Sequence, residues 1–111
     1  MKDKVRKMSE IFKALGDPTR LRIIRMLASK MEDNLCVADL AKKLGVTQPA
    51  ASQHIKVLKS IDILKPNRKG FRIYYSIDTD TLNTYKKDID KLFKMAFEKC
   101  PKYAKCKGHE A

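Results

Sequence analysis

Two sets of side chains in this 111-residue chain have types and spacings suited to chemistry. In the first, Gln48, Ser52, Lys56 and Lys59 recur at helical intervals on one face, with Gln53 beside them. Glutamine bonds adenine in a bidentate way, serine serves several bases, and lysine meets phosphate, so this face suits double-stranded DNA. Further on, Arg68 and Lys69 precede Gly70 at what reads as a hairpin tip, with Arg72 just beyond, and suit a backbone or minor-groove contact. The second set is Cys36, Cys100 and Cys106, with His109 nearby. Three thiols cannot all pair within one chain, which leaves metal binding, redox chemistry or plain burial.

The charge balance favours a polyanion. Lys and Arg number 25 against 13 Asp and Glu, a formal net charge of +12. Residues 1–30 carry +6 and residues 61–77 carry +3, whereas residues 78–99 are balanced, so the surplus lies at the N-terminal helices and around the hairpin. Charge alone does not separate nucleic acid from an anionic membrane surface. A chain of this length folds as one domain with no room for a second cofactor-binding unit. No apolar run reaches the ~18–20 residues of a membrane span, and the charged opening Met1 to Lys7 leads into no secretory signal. The expectation is a soluble cytoplasmic protein, where thiols stay reduced. An enzyme is disfavoured: the sequence has no phosphate-cradling glycine loop, no Gly-x-Ser-x-Gly, no His-Glu-x-x-His, and two histidines in all.

The elements that must position these groups can be read from periodicity. Val5, Met8, Phe12 and Leu15 predict one face of a first helix, ended by Gly16. Asp17-Pro18 starts a second, to about Ser29, with Leu21, Ile24 and Ala28 on one stripe and Ile23 and Leu27 beside it. A short helix over 37–44 precedes Gly45-Val46-Thr47, and a fourth runs from Gln48 to Ser60, capped by Thr47, with Ala51, Ile55 and Leu58 inward. After Ile63 the period becomes two: Phe71, Ile73, Tyr75 and Ile77 alternate with Arg72, Tyr74 and Ser76. Asn67 to Gly70 supplies the expected turn, and Ile63 to Pro66 the expected partner strand, cut short by the proline. A last helix spans Thr79 to about Lys99. The expected organisation is a DNA-binding and dimerisation domain over 1–99 and a Cys/Lys-rich tail over 100–111.

From Val37 to Leu58 the pattern is that of a helix-turn-helix, with Ala41 small at the closest approach and Gly45 in the tight turn. The hairpin that follows makes it a winged helix, mainly α with a small β-hairpin. Such a motif lays its second helix in the major groove. His54 on that helix reads as a partly buried, hydrogen-bonded structural histidine ahead of a phosphate contact or a metal ligand.

The strings Phe12-Lys-Ala-Leu-Gly-Asp-Pro-Thr-Arg-Leu-Arg-Ile-Ile, Leu35-Cys-Val-Ala-Asp-Leu and Thr47-Gln-Pro-Ala-Ala-Ser-Gln-His-Ile-Lys-Val-Leu resemble the ArsR/SmtB family of metal-responsive repressors over about residues 8–82. The resemblance implies a winged-helix homodimer joined through its first and last helices, bound to a palindromic operator and released by an inducer. Independently, Tyr85, Leu92, Phe93, Met95 and Phe97 give the last helix more large apolar side chains than so small a core needs. An isologous dimer would also supply two recognition helices. The alternative is a winged-helix interaction module that touches no DNA.

The sensing patterns of the family are not intact. Where arsenic-sensing members carry Cys-Val-Cys-Asp-Leu-Cys, this chain keeps Cys36 but has Ala38 and Ala41. The last helix has Asp88 and Asp90 but no histidine for the zinc pattern, and the N-terminal arm has no cysteine. What remains is Cys36, Cys100 and Cys106, three sulfurs that suit a trigonal site for arsenic(III), cadmium, lead, copper(I) or zinc. The tail pair spans at most ~20 Å extended, so a loop can fold both onto one ion, completed by Cys36 of the same or the partner subunit. Two other readings stay open: a thiol-redox or persulfide switch at the lysine-flanked tail pair, and plain burial of Cys36.

Overall fold

A computed structural model describes residues 2–29 and 34–98; Cys100, Cys106 and His109 lie outside the described residues. The order is α1 (Lys2–Leu15), α2 (Pro18–Ala28), β1 (Leu35–Cys36), α3 (Val37–Leu44), α4 (Gln48–Ser60), β2 (Leu64–Lys69), β3 (Arg72–Ile77) and α5 (Thr79–Glu98). Local signals set most of these bounds. The Asp17 carboxylate accepts from Thr19 N at 2.9 Å and Arg20 N at 3.1 Å, so two orphan donors of α2 are satisfied before Pro18 starts its first turn. Asp78 does the same for α5, accepting from Thr81 N at 3.1 Å. α3 stops at Gly45, whose φ of 71° is the left-handed geometry that a side chain resists.

The predicted hairpin is present and gains a third strand: the antiparallel order is β1-β3-β2, with Leu35 opposite Tyr75 and Cys36 opposite Tyr74. Pro66 does not end β2 as expected. It pairs in register with Tyr75, inside a ladder that continues to Lys69 opposite Arg72. Since β2 is an edge strand, a residue without an N–H is tolerated there. The turn therefore shrinks from the four residues expected to Gly70-Phe71, with Gly70 at φ 65° and Phe71 at negative φ, the pattern of a type II′ hairpin.

Between the helices and the sheet lies a core whose fully buried side chains include Ile23, Leu27, Leu40, Leu58 and Ile63. Ala51, Ile55 and Leu58 of α4 point inward as the period predicts. Two stripes are corrected. On α1 the buried residues are Ile11 and Ala14, while Val5 and Phe12 face outward; on α2 they are Ile23 and Leu27, with Leu21 exposed. In α1 the apolar face is real but nothing among the described residues covers Val5 and Phe12. On α5, Tyr85 is buried and its hydroxyl donates to the Ile61 carbonyl at 2.6 Å, tying the last helix to the end of α4. Beyond it, Leu92, Phe93, Met95 and Phe97 are exposed. No helix among the described residues is long and apolar enough to cross a membrane.

Tyr85→Phe strands the Ile61 carbonyl in an apolar setting, and should lower unfolding free energy by about 1–2 kcal/mol. Urea titration at fixed protein concentration should show a lower midpoint with an unchanged slope; a midpoint equal to the wild type's would contradict the assignment.

Candidate nucleic-acid interface

α3 and α4 are held at their angle by buried Leu40, Ala41, Ala51 and Ile55, with the Gly45 turn between them. Thr47 caps α4 through its hydroxyl, which accepts from Ala50 N at 3.2 Å, and Pro49 falls in the first turn where its missing N–H costs nothing. With the apolar stripe fixed inward, Gln48, Ser52, Gln53, Lys56 and Lys59 are all exposed. The row is continuous from the helix start to its last turn. There Lys59 Nζ lies 5.9 Å from the centre of the Tyr75 ring, so the end of α4 leans on β3.

The wing continues the same basic surface. Arg68, Lys69 and Arg72 are exposed, and Lys69 Nζ sits 5.9 Å from the Tyr74 ring. Arg72 also has a structural contact, its guanidinium 3.9 Å from Cys36 Sγ. A cleft of about 450 Å³ between the wing and the starts of α3 and α4 is lined by Cys36, Val37 and Ala38, by Gln48, and by Phe71 and Arg72. It brings together groups that the sequence leaves more than twenty residues apart. A second basic cleft, of about 550 Å³, collects Arg22, Arg25 and Lys43 from α2 and α3. The charge count located that surplus on the N-terminal helices but did not place Lys43 with it.

His54 is half-buried and hydrogen-bonded, as its position suggested. The Arg20 guanidinium, which can only donate, lies 3.2 Å from His54 Nδ1. The same guanidinium donates to the Ala14 and Lys13 carbonyls at the end of α1, and Asp17 Oδ2 lies 3.9 Å from His54 Nδ1. Sequence reasoning found the Asp17 cap but missed Arg20, because its partner is 34 positions away.

Cys36 is buried at the start of α3. Its thiol donates to Asp39 Oδ2 at 3.1 Å and its backbone N–H to the same oxygen at 3.3 Å. The thiol bond first, then the backbone bond, with Arg72 and Lys43 adding positive charge, hold the Asp39 carboxyl below its usual value. Asp17 is lowered as well, chiefly by the Arg20 backbone N–H. Among the described residues no group of three or more Cys, His, Asp or Glu could hold a metal ion. Cys36 and Asp39 offer one sulfur and one carboxylate beside a guanidinium cation, a donor set that does not by itself fit a thiophilic ion.

A helix-turn-helix with an exposed polar face, followed by a basic wing, defines a winged helix-turn-helix protein. Residues 17–65 match the family described as bacterial regulatory protein, arsR family. The chain is 38% identical over 91 residues to a transcriptional repressor SmtB homolog from Synechocystis sp., covering 81% of this chain and 67% of that protein. It is 34% identical to the arsenical resistance operon repressor of Bacillus subtilis, over 71% of this chain and 73% of that one. The fold superposes on an ArsR-like transcriptional regulator from Rhodococcus sp. RHA1 with a TM-score of 0.76 at 21% identity, covering 87% and 89% of the two chains. It also matches the NMR structure of a homodimeric winged helix-turn-helix DNA-binding domain from Mycobacterium bovis, with a TM-score of 0.61 at 26% identity, over 84% and 81%. The chain belongs to the arsR family.

The lowered carboxyls fix a sign for acid stability. A group whose folded value lies below its unfolded ~3.9 contributes stability above that pH and loses it as pH falls through the folded value. Asp17→Asn keeps a competent helix cap and removes the charge. Its acid unfolding, followed by circular dichroism below about pH 4, should be shallower than the wild type's, and Asp39→Asn should behave alike. Unaltered acid limbs in both would overturn the assignment.

Proposed function

We propose that the protein is a homodimeric cytoplasmic repressor that reads a palindromic DNA operator with α4 and the wing, and releases it when a thiol-reactive inducer engages its cysteines. The observation that carries the DNA assignment is the exposed row Gln48, Ser52, Gln53, Lys56 and Lys59 running into Arg68, Lys69 and Arg72. Gln48, Ser52 and Gln53 stand at the helix start, where an inserted recognition helix meets base edges. The cations farther along neutralise phosphates.

The dimer reading rests on the uncovered apolar surface. Val5, Met8 and Phe12 of α1 and Leu92 of α5 line a groove of about 590 Å³, and Phe93, Met95 and Phe97 extend the apolar surface of α5. A second copy with the same face buries these side chains and sets two α4 helices on one duplex, about one helical turn apart. In the inducer reading, Cys36, Cys100 and Cys106 supply thiolates for arsenic(III), cadmium, lead or zinc. Cys36 alone does not complete such a site, so the tail pair is required. Relatedness to an arsenical resistance repressor supports this chemistry.

A dimer neutralising six to ten phosphates should lose about three to five decades of affinity between 50 and 200 mM salt. Gln48→Ala should relax preference at one base position by about 1–3 kcal/mol, while Lys56→Ala should weaken all sequences evenly and reduce the salt slope by about one. Fluorescence anisotropy on selected and random duplexes separates these outcomes; flat salt dependence without preference would favour a protein-interaction module.

For the inducer, arsenite, cadmium, zinc and polysulfide are titrated against the protein–DNA complex with Cys36, Cys100 and Cys106 singly changed to Ser. Loss of release by arsenite or cadmium is expected in the tail variants. Release like wild type in all three would reject thiol sensing, and release by polysulfide alone would assign a redox switch.

A further inference from the structure

Phe71 is the most exposed large apolar side chain among the described residues, at 104% of its reference area. It shares strand parity with Ile73, Tyr75 and Ile77, which face the core side of β3, yet the hairpin carries it past the end of the core. Its backbone is not free to turn away: Gly70 at φ 65° closes a two-residue turn, and the ladder below it is continuous from Leu64–Ile77 to Lys69–Arg72. Arg68, Lys69 and Arg72, all exposed, flank it in the same hairpin. Phe71 and Gln48 line the same cleft of about 450 Å³, so the ring lies on the side of the wing that faces the start of α4.

An exposed apolar ring at the tip of a continuous hairpin, flanked by cations and sharing a cleft with the start of the recognition helix, has the composition of a minor-groove wedge. We propose that Phe71 enters the minor groove beside the major-groove site read by α4 and stacks at a base step, while Arg68, Lys69 and Arg72 hold the flanking phosphates. The inference rests on the DNA-binding reading of α4 and the wing. The cations bring the ring to the duplex, and stacking against a base removes its apolar face from water. Separating a step costs least at pyrimidine–purine steps, so the wedge reads the flank through deformability, where no hydrogen bond is made. Among the described residues Phe71 is fully exposed, which makes it a clean position to vary.

The test uses a duplex selected by the protein from a random pool, with 2-aminopurine placed in turn at each step flanking the half-sites and fluorophores at the two ends. Wild type should brighten 2-aminopurine at one flanking step and shorten the end-to-end distance. Phe71→Ala should abolish both signals and weaken binding about tenfold, with an unchanged thermal melt and salt slope. Phe71→Leu, still an apolar wedge, should retain part of the bend, whereas Arg68→Ala with Lys69→Ala should lower the salt slope by about two. If wild type binds this duplex tightly and Phe71→Ala matches it in affinity, brightening and bend, the wedge is overturned and the DNA reading stands. If wild type shows no salt-dependent DNA binding, the DNA reading falls and the wedge with it.

Discussion

Arg20 joins three helices with one guanidinium. From the first turn of α2 it donates to the Ala14 and Lys13 carbonyls in the last turn of α1, the second of which also accepts from Gly16 N, and to His54 in the middle of α4. A guanidinium is planar with its donors in a fixed fork, so these partners cannot be satisfied at arbitrary angles. Asp17 beside it caps α2 and carries the opposite charge next to the same imidazole. Much of the string Leu15-Gly16-Asp17-Pro18-Thr19-Arg20 is thereby accounted for: an end for α1, a cap and first turn for α2, and a brace to α4. The helix that presents apolar side chains outward and the helix that carries the exposed polar row are bridged by this one side chain.

That brace matters because the single-chain core is small. Ile23, Leu27, Leu40, Leu58 and Ile63 fill the centre, but the outer face of α1 and the far half of α5 contribute nothing to it. Apolar surface of this extent, left in water, forgoes about 25 cal/mol for every Å² that a partner would cover. The chain can carry that face only if the arrangement of α1 does not depend on covering it. The Arg20 bonds to the carbonyls of α1, together with buried Ile11 and Ala14, supply that independence.

What could be read from the sequence was what is decided locally. Both helices of the helix-turn-helix have the bounds expected, because Gly45, Thr47 and Pro49 act within a turn of where they stand. Helical periodicity also identified the α1 face, but periodicity says which residues share a side, not what lies opposite. β1 escaped notice since two residues cannot display alternation, and Pro66 misled because edge position is a property of the assembled sheet. The exposed DNA-facing candidates on α4 follow from its buried stripe alone. Arg20, by contrast, is one more arginine in a basic sequence until His54 is brought next to it.

Cys36 shows how chemistry at one atom reaches several elements. It is at once a β1 residue opposite Tyr74, the residue before α3, and the neighbour of Arg72 on the wing. Its S–H bond is the largest influence on the Asp39 carboxyl, which in turn accepts the Cys36 backbone N–H at the head of α3. Any ligand or oxidant that takes the sulfur as thiolate removes that proton, since a thiolate has none to donate. Asp39 then faces an electron-rich sulfur where it had a donor, with Arg72 beside both. The groups in contact with that sulfur are the cap of the first helix of the helix-turn-helix and a cation of the wing, so a reagent taking it would disturb both at once.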